Sequence, residues 1–166
     1  MKRESVRWLA GLIAAHPDRK VKGRTRLQKT VRLLQRKGFP TDYSYMLHFY
    51  GPYSEGLNTE LKLCRQLGLV EEEEKSRFDE GSYYVYTALP EAELTEIEEY
   101  RTDLNRLIAE RDVVLELAAT YDAFRELGYK HNEALERTRQ KKGWKCDGGN
   151  LDAALALLSA LEIPVG

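Results

Sequence analysis

The sequence has no unbroken apolar run near the ~18 residues that a bilayer crossing needs, so no membrane partner is expected. It has only two cysteines in 166 residues, Cys64 and Cys146, and neither stands in a CxxC or Cys–His spacing. That argues for neither a disulfide scaffold nor a zinc site, and a reduced, cytoplasmic protein is the expectation. Histidine is almost as scarce. His16, His48 and His131 fall in separate segments with no HxxxH-type spacing. GxxxxGK[ST], GxGxxG and GxSxG are also missing, which removes the common signatures of phosphate cradles, dinucleotide sites and serine nucleophiles. No enzyme activity, cofactor or metal is therefore expected. The opening MKRESVRWLAGLIAAHPDRK is charged–apolar–charged, as in a signal peptide. Arg7 and Trp8 interrupt it, the run Leu9–Ala15 is short, and no small-x-small cleavage site follows, so it reads as a helix.

Charge is plentiful and unevenly spread. Residues 1–40 hold 12 Lys/Arg against two acids, Glu4 and Asp18, whereas the remainder holds 14 Lys/Arg against 25 acids. A basic head on an acidic body implies either an anionic partner for the head or charge pairing within the chain. Hydrophobic residues make up 42%, enough for a packed core, and the length favours one domain with an appendage.

Periodicity predicts helices over Glu4–His16 and Arg24–Lys37, the second with Thr25 as N-cap and Gln28 as its capping-box partner. Gly38 and Pro40 end it. Tyr43–Tyr50 favours extended structure. Gly51-Pro52 then breaks the strand, and Ser54 caps a helix running to Leu67. Leu69-Val70 leads a strand into Glu71–Glu74. A turn at Asp79-Glu80-Gly81 and a second strand, Tyr83–Thr87, complete a charged hairpin before Pro90. This order predicts a winged helix-turn-helix over residues 1–90. Residues 91–166 read as a helical extension that packs on it or mediates oligomerisation. Its segments are a long amphipathic helix Ala92–Arg111 running on into Val113–Leu127, then Asn132–Gln140 and Asn150–Leu161 around the loop Lys141–Gly149. The fold class is mainly α with a small β-hairpin.

Two stretches, GRTRLQKTVRLLQRKGF and YMLHFYGPYSEGLNTELKLCRQLGLV, resemble the YwgA-like bacterial and archaeal proteins and, more distantly, the SocA-like antitoxin (Panacea) domain. The shared pattern is Leu27-Gln28-Lys29, then Tyr50-Gly51-Pro52-Tyr53-Ser54, then Gly68-Leu69. LELAATYDAFRELGY, residues 115–129, is similar to the YwgA-like helical tail. The resemblance brings no catalytic residues. SocA-like domains act as antitoxins or adaptors that bind a toxin or present it to a protease.

Two roles follow. One is a regulatory or toxin–antitoxin/defence protein that binds double-stranded DNA. There Arg24, Arg26, Lys29, Arg32 and Arg36 contact phosphate, and Asn58, Lys62 and Arg65 of the third helix enter the groove. The other is a protein–protein interaction module, antitoxin-like or an adaptor. Its dense tyrosines would meet a toxin, a nuclease, another defence component or a second copy of this chain. Ser54 is read as a helix cap, His48 as a surface residue, and Glu71–Glu74 as a solvated edge.

Overall fold

The computed structural model describes residues 2–48, 51–78 and 81–166. The chain is mainly helical, with two small antiparallel sheets. Helix α1 (Lys2–Ala14) buries Val6, Leu9, Ala10, Leu12 and Ile13, which share one face at the spacing of a helical turn. A short strand β1 (Lys20–Lys22) follows, and then α2 (Arg24–Gln35). The sequence reading lacks β1, because three residues are too few to show alternation.

Helix α2 does not start with the expected box. Its N-cap is Gly23, whose φ of 100° suits glycine, and no side chain caps it. Gln28 is fully buried and turned away, toward Ser54.

The expected strand Tyr43–Tyr50 is instead a small hairpin. β2 (Met46–His48) pairs antiparallel with β3 (Gly51–Tyr53), Leu47 opposite Pro52. Proline is tolerated because a two-stranded ribbon has only edge strands. Phe49 and Tyr50 lie outside the described residues, as do Asp79 and Glu80 of the expected wing turn. Helix α3 (Glu55–Gln66) begins as expected, with the Ser54 hydroxyl accepting from the Leu57 amide at 3.2 Å. The second hairpin joins β4 (Val70–Arg77) to β5 (Gly81–Ala88), and β1 adds to β5, giving the strand order β1-β5-β4.

After Pro90 the expected long helix is broken. Two 3-10 segments, Pro90–Ala92 and Thr95–Tyr100, precede α4 (Arg101–Ala109) and α5 (Asp112–Glu126). Glu110 and Arg111 are extended between the helices, with ψ of 152° and 151°. Arg26 holds this break from outside. One arm of its guanidinium donates to the carbonyls of Leu107 and Ile108 at 2.9 and 3.0 Å, and the other pairs with Asp112 at 2.6 Å. The last carbonyls of α4 thus gain a partner without the helix continuing. Helices α6 (His131–Lys142) and α7 (Asn150–Ala160) pack on α5, which is buried throughout from Val114 to Asp122. Trp8, Phe39 and Tyr100 meet edge to face, with centroids 5.2–5.8 Å apart, and tie the 3-10 segment to the head.

Candidate functional site

The eight candidate residues separate onto two faces. Arg24, Asn58, Lys62 and Arg65 converge on a cleft of about 220 Å³ between α2, α3 and the β4–β5 hairpin. Asn58, Lys62 and Arg65 are spaced along one side of α3. Arg24 enters from the first turn of α2. Its Nε donates to the Tyr86 hydroxyl at 3.1 Å, and its guanidinium covers the Tyr84 ring at 4.3 Å. Opposite Tyr86 in the ladder stands Glu72. Arg65 pairs with it at 3.2 Å, and Arg24 sits 3.8 Å from its other oxygen. The acidic run is therefore not uniformly solvated: Glu72 faces the cleft and is partly covered by Arg65 and Arg24, while Glu71 and Glu73 on the opposite face, and Glu74 farther along the strand, are exposed. Asn58 accepts from Gln28 at 3.4 Å and donates to the Tyr53 hydroxyl. Among the described residues, Lys62 has no ion-pair partner.

The other four face the tail. Lys29 is 1% exposed, and its ammonium donates to the Pro52 carbonyl at 2.6 Å. Burial lowers its pKa to about 8, against the pull of Glu116 and helped by Lys142. Arg32 bonds Asp122 at 3.1 Å and also Glu126. Arg36 bonds the same Asp122 oxygen at 2.9 Å and sits 3.6 Å from Glu126. Asp122 is fully buried, so two guanidiniums hold its charge. With Arg26 spanning the α4–α5 break, this stripe engages Asp112, Asp122 and Glu126 of the tail. Lys29 and Arg32 are buried under α5, at 1% and 5% exposure. The expectation for these two as phosphate contacts assumed a solvated stripe, and here both side chains are buried. Arg32 is paired with acids of the chain itself, whereas Lys29 gives its ammonium to the Pro52 carbonyl.

The two motifs of the sequence prove to be one object. Gln28 donates to the Ser54 carbonyl and accepts from the Ser54 amide, both at 2.9 Å. Lys29, the next residue, holds Pro52. Gly51 lies against α5. A Cβ there would meet the Thr120 hydroxyl at 2.6 Å, and its φ is 93°. The Leu-Gln-Lys helix and the Gly-Pro-Tyr-Ser turn are thus locked together, with the tail seated on the lock.

Local spacing could not reveal Glu72, Glu116, Asp122 or Tyr86 as partners. One signal existed: Glu116 and Asp122 are acids in a segment otherwise rich in Leu and Ala, where burial demands counter-charges. Both cysteines are free thiols, and burial raises the Cys64 pKa to about 12. Among the described residues, no His, Cys, Asp and Glu side chains group to hold a metal ion, and no helix is long and apolar enough to cross a membrane.

No protein-family profile matches the chain. The chain is similar to the uncharacterized protein YwgA of Bacillus subtilis (strain 168), at 36% identity over 64 residues, or 39% of this chain. It spans 37% of that protein's length. This supports a YwgA-like relationship over that stretch.

Proposed function

We propose that this chain is a non-enzymatic interaction module on a winged helix-turn-helix platform, with the helical extension closed over one side, and that its partner is a protein. The platform reading is supported by the order α1-β1-α2-β2-β3-α3-β4-β5, in which β1 completes the β4–β5 sheet and the small β2–β3 pair is inserted between the second and third helices. The partner reading rests on one observation: the basic stripe of α2 is engaged by the chain's own acids. An antitoxin-like or adaptor role fits the distant SocA-like resemblance. The surface offered is a groove of about 600 Å³ between α2, the β2–β3 hairpin and α5. Tyr45, Leu47, Pro52 and Ala123 line it, and the exposed Met46 and Leu127 stand on its rims. A protein presenting an apolar side chain between arginines and a glutamate matches it.

A second reading, duplex DNA, is favoured by the gathering of Arg24, Asn58, Lys62 and Arg65 on one exposed cleft. One experiment separates the two. The protein is titrated with random and upstream duplexes at several salt concentrations, and a partner recovered from source cells is purified and titrated against wild type and the Met46→Asp/Leu127→Asp variant. Loss of that complex in the folded variant, with no salt-dependent DNA binding, supports the protein reading. A salt slope of about 0.9 per contact, reduced in Lys62→Ala and Arg65→Ala, overturns it in favour of DNA.

A further inference from the structure

In the cleft between α2, α3 and the β4–β5 hairpin, a carboxylate of the chain itself sits among the cations. Arg24, Lys62 and Arg65 line the space against one acid, Glu72. The helices supply the cations, and β4 carries the carboxylate in. Arg65 lies 3.2 Å from one Glu72 oxygen and Arg24 3.8 Å from the other. The Tyr86 hydroxyl, which accepts from Arg24, also hydrogen-bonds Glu72. The Glu72 side chain is 16% exposed, whereas those of Arg65 and Arg24 are 45% and 37% exposed. The carboxylate is thus the covered member, and its guanidiniums stay open to a second oxyanion. Lys62, one helical turn beyond Asn58, is exposed and adds a cation with no ion-pair partner among the described residues.

Size and surroundings narrow the ligand. About 220 Å³ is below the usual range of small-molecule sites, so the cleft takes a head group and not a whole metabolite. A duplex carries a charge every ~1.7 Å of its axis. Phosphates flanking the one in the cleft would approach Glu74, two residues along the same face of β4, and Glu55, one turn before Asn58, and both acids are exposed. A single carboxylate, such as Glu72 already presents, avoids that repulsion. Leu63 and Leu67, 36% and 60% exposed, stand four residues apart on the neighbouring side of α3. Apolar surface beside a charged pocket suits a protein and offers a phosphate backbone nothing.

We propose that the α3 cleft docks an acidic side chain of a protein partner, and that Glu72 is a resident competitor which this side chain displaces. The proposal rests on the protein reading above and adds a second contact, built from residues that the Met46–Leu127 groove does not share. Arg24 and Arg65 exchange one carboxylate for another, and Glu72 is released to water. Only the released form accepts the partner, so Glu72 holds the affinity down.

The test is fluorescence anisotropy of the full chain, at low salt, with a labelled hexapeptide of alternating glutamate and leucine, its glutamine counterpart and a random duplex. Saturable binding of the acidic peptide and none of the glutamine peptide are expected. Lys62→Ala and Arg65→Ala should each weaken the acidic peptide by about tenfold, the loss of one charge-assisted contact. Glu72→Gln removes the competing charge and should tighten it by about tenfold. Glu72→Asp, one methylene shorter, tests the same release should the glutamine variant fold poorly, and thermal melts check each variant. Absence of saturable binding at millimolar peptide overturns the proposal, as does a folded Glu72 variant that binds no more tightly. Binding that Met46→Asp/Leu127→Asp abolishes and Lys62→Ala leaves intact places the peptide in the groove and also overturns it. Duplex binding that Glu72→Gln tightens, without a matching gain for the peptide, makes the ligand a phosphate and overturns it too. If the peptide follows the expected order while the cellular partner ignores Met46→Asp/Leu127→Asp, the groove reading fails and the cleft stands.

Discussion

Gln28 and Ser54, 26 residues apart, hold each other by two hydrogen bonds of 2.9 Å, the amide side chain of one meeting both backbone groups of the other. The glutamine mimics a strand partner, and both residues are buried. It therefore satisfies a donor and an acceptor that water cannot reach.

This pairing ranks two variants. Ser54→Ala removes only the hydroxyl cap and should cost about 1 kcal/mol. Gln28→Leu strands two buried backbone groups, each worth about 1–3 kcal/mol, and should cost more. Urea denaturation orders them. Equal losses would show that the Gln28 bonds contribute no more than the cap.

Asp122 offers a sharper contrast. Asp122→Asn leaves the buried Arg32 with only the half-exposed Glu126 as counter-charge and should cost about 3 kcal/mol. Glu93→Ala breaks the exposed pair with Arg19 and should cost less than about 1 kcal/mol. The same denaturation series measures both.

The pH dependence turns on His16. Its Nδ1 lies 2.8 Å from the Leu12 carbonyl, and its Nε2 is buried with no hydrogen-bond partner. Burial chiefly, then Arg26 and Arg101, lower its pKa from the ordinary 6.5 to about 4, against the bond to Leu12. Above pH 6.5 the ring is neutral in both states and adds no slope. As pH falls from 6.5 toward 4, the unfolded chain binds a proton that the folded chain does not, so stability is lost. The loss should reach about 3 kcal/mol. His16→Gln should flatten that part of the stability curve, and an unchanged slope would place the titrating group elsewhere.

Gly51→Ala combines a positive φ with a clash against Thr120 and should cost at least about 2 kcal/mol. Thr120→Ala removes the clash and not the backbone strain. The double variant should therefore be more stable than the sum of the two losses, and strict additivity would contradict the contact.

The helices were legible because their apolar positions repeat every three to four residues, and the hairpin because tyrosines cluster in Tyr83–Tyr86. The break at Glu110–Arg111 was not. Both residues are sound helix formers, and the group that satisfies the carbonyls at the break is Arg26, some 80 residues away. The same limit governs the candidate residues. Lys29 and Arg32 look like a solvated stripe when read along α2, and only the arrival of α5 buries them. Ser54 was readable as a cap because its partner is three residues away. Gln28 was misassigned because its true partner is remote.

Helix α2 answers to two neighbours at once, with Gln28 bound to the third helix's entry and Arg32 and Arg36 bound to Asp122. Drift at Asp122 is then tolerated only with an answering change at Arg32 or Arg36. A chimera that takes residues 91–166 from a relative should fail unless α2 travels with them. The inheritable unit is not a stretch bounded at Pro90. It is the tail together with a helix that lies more than fifty residues before it.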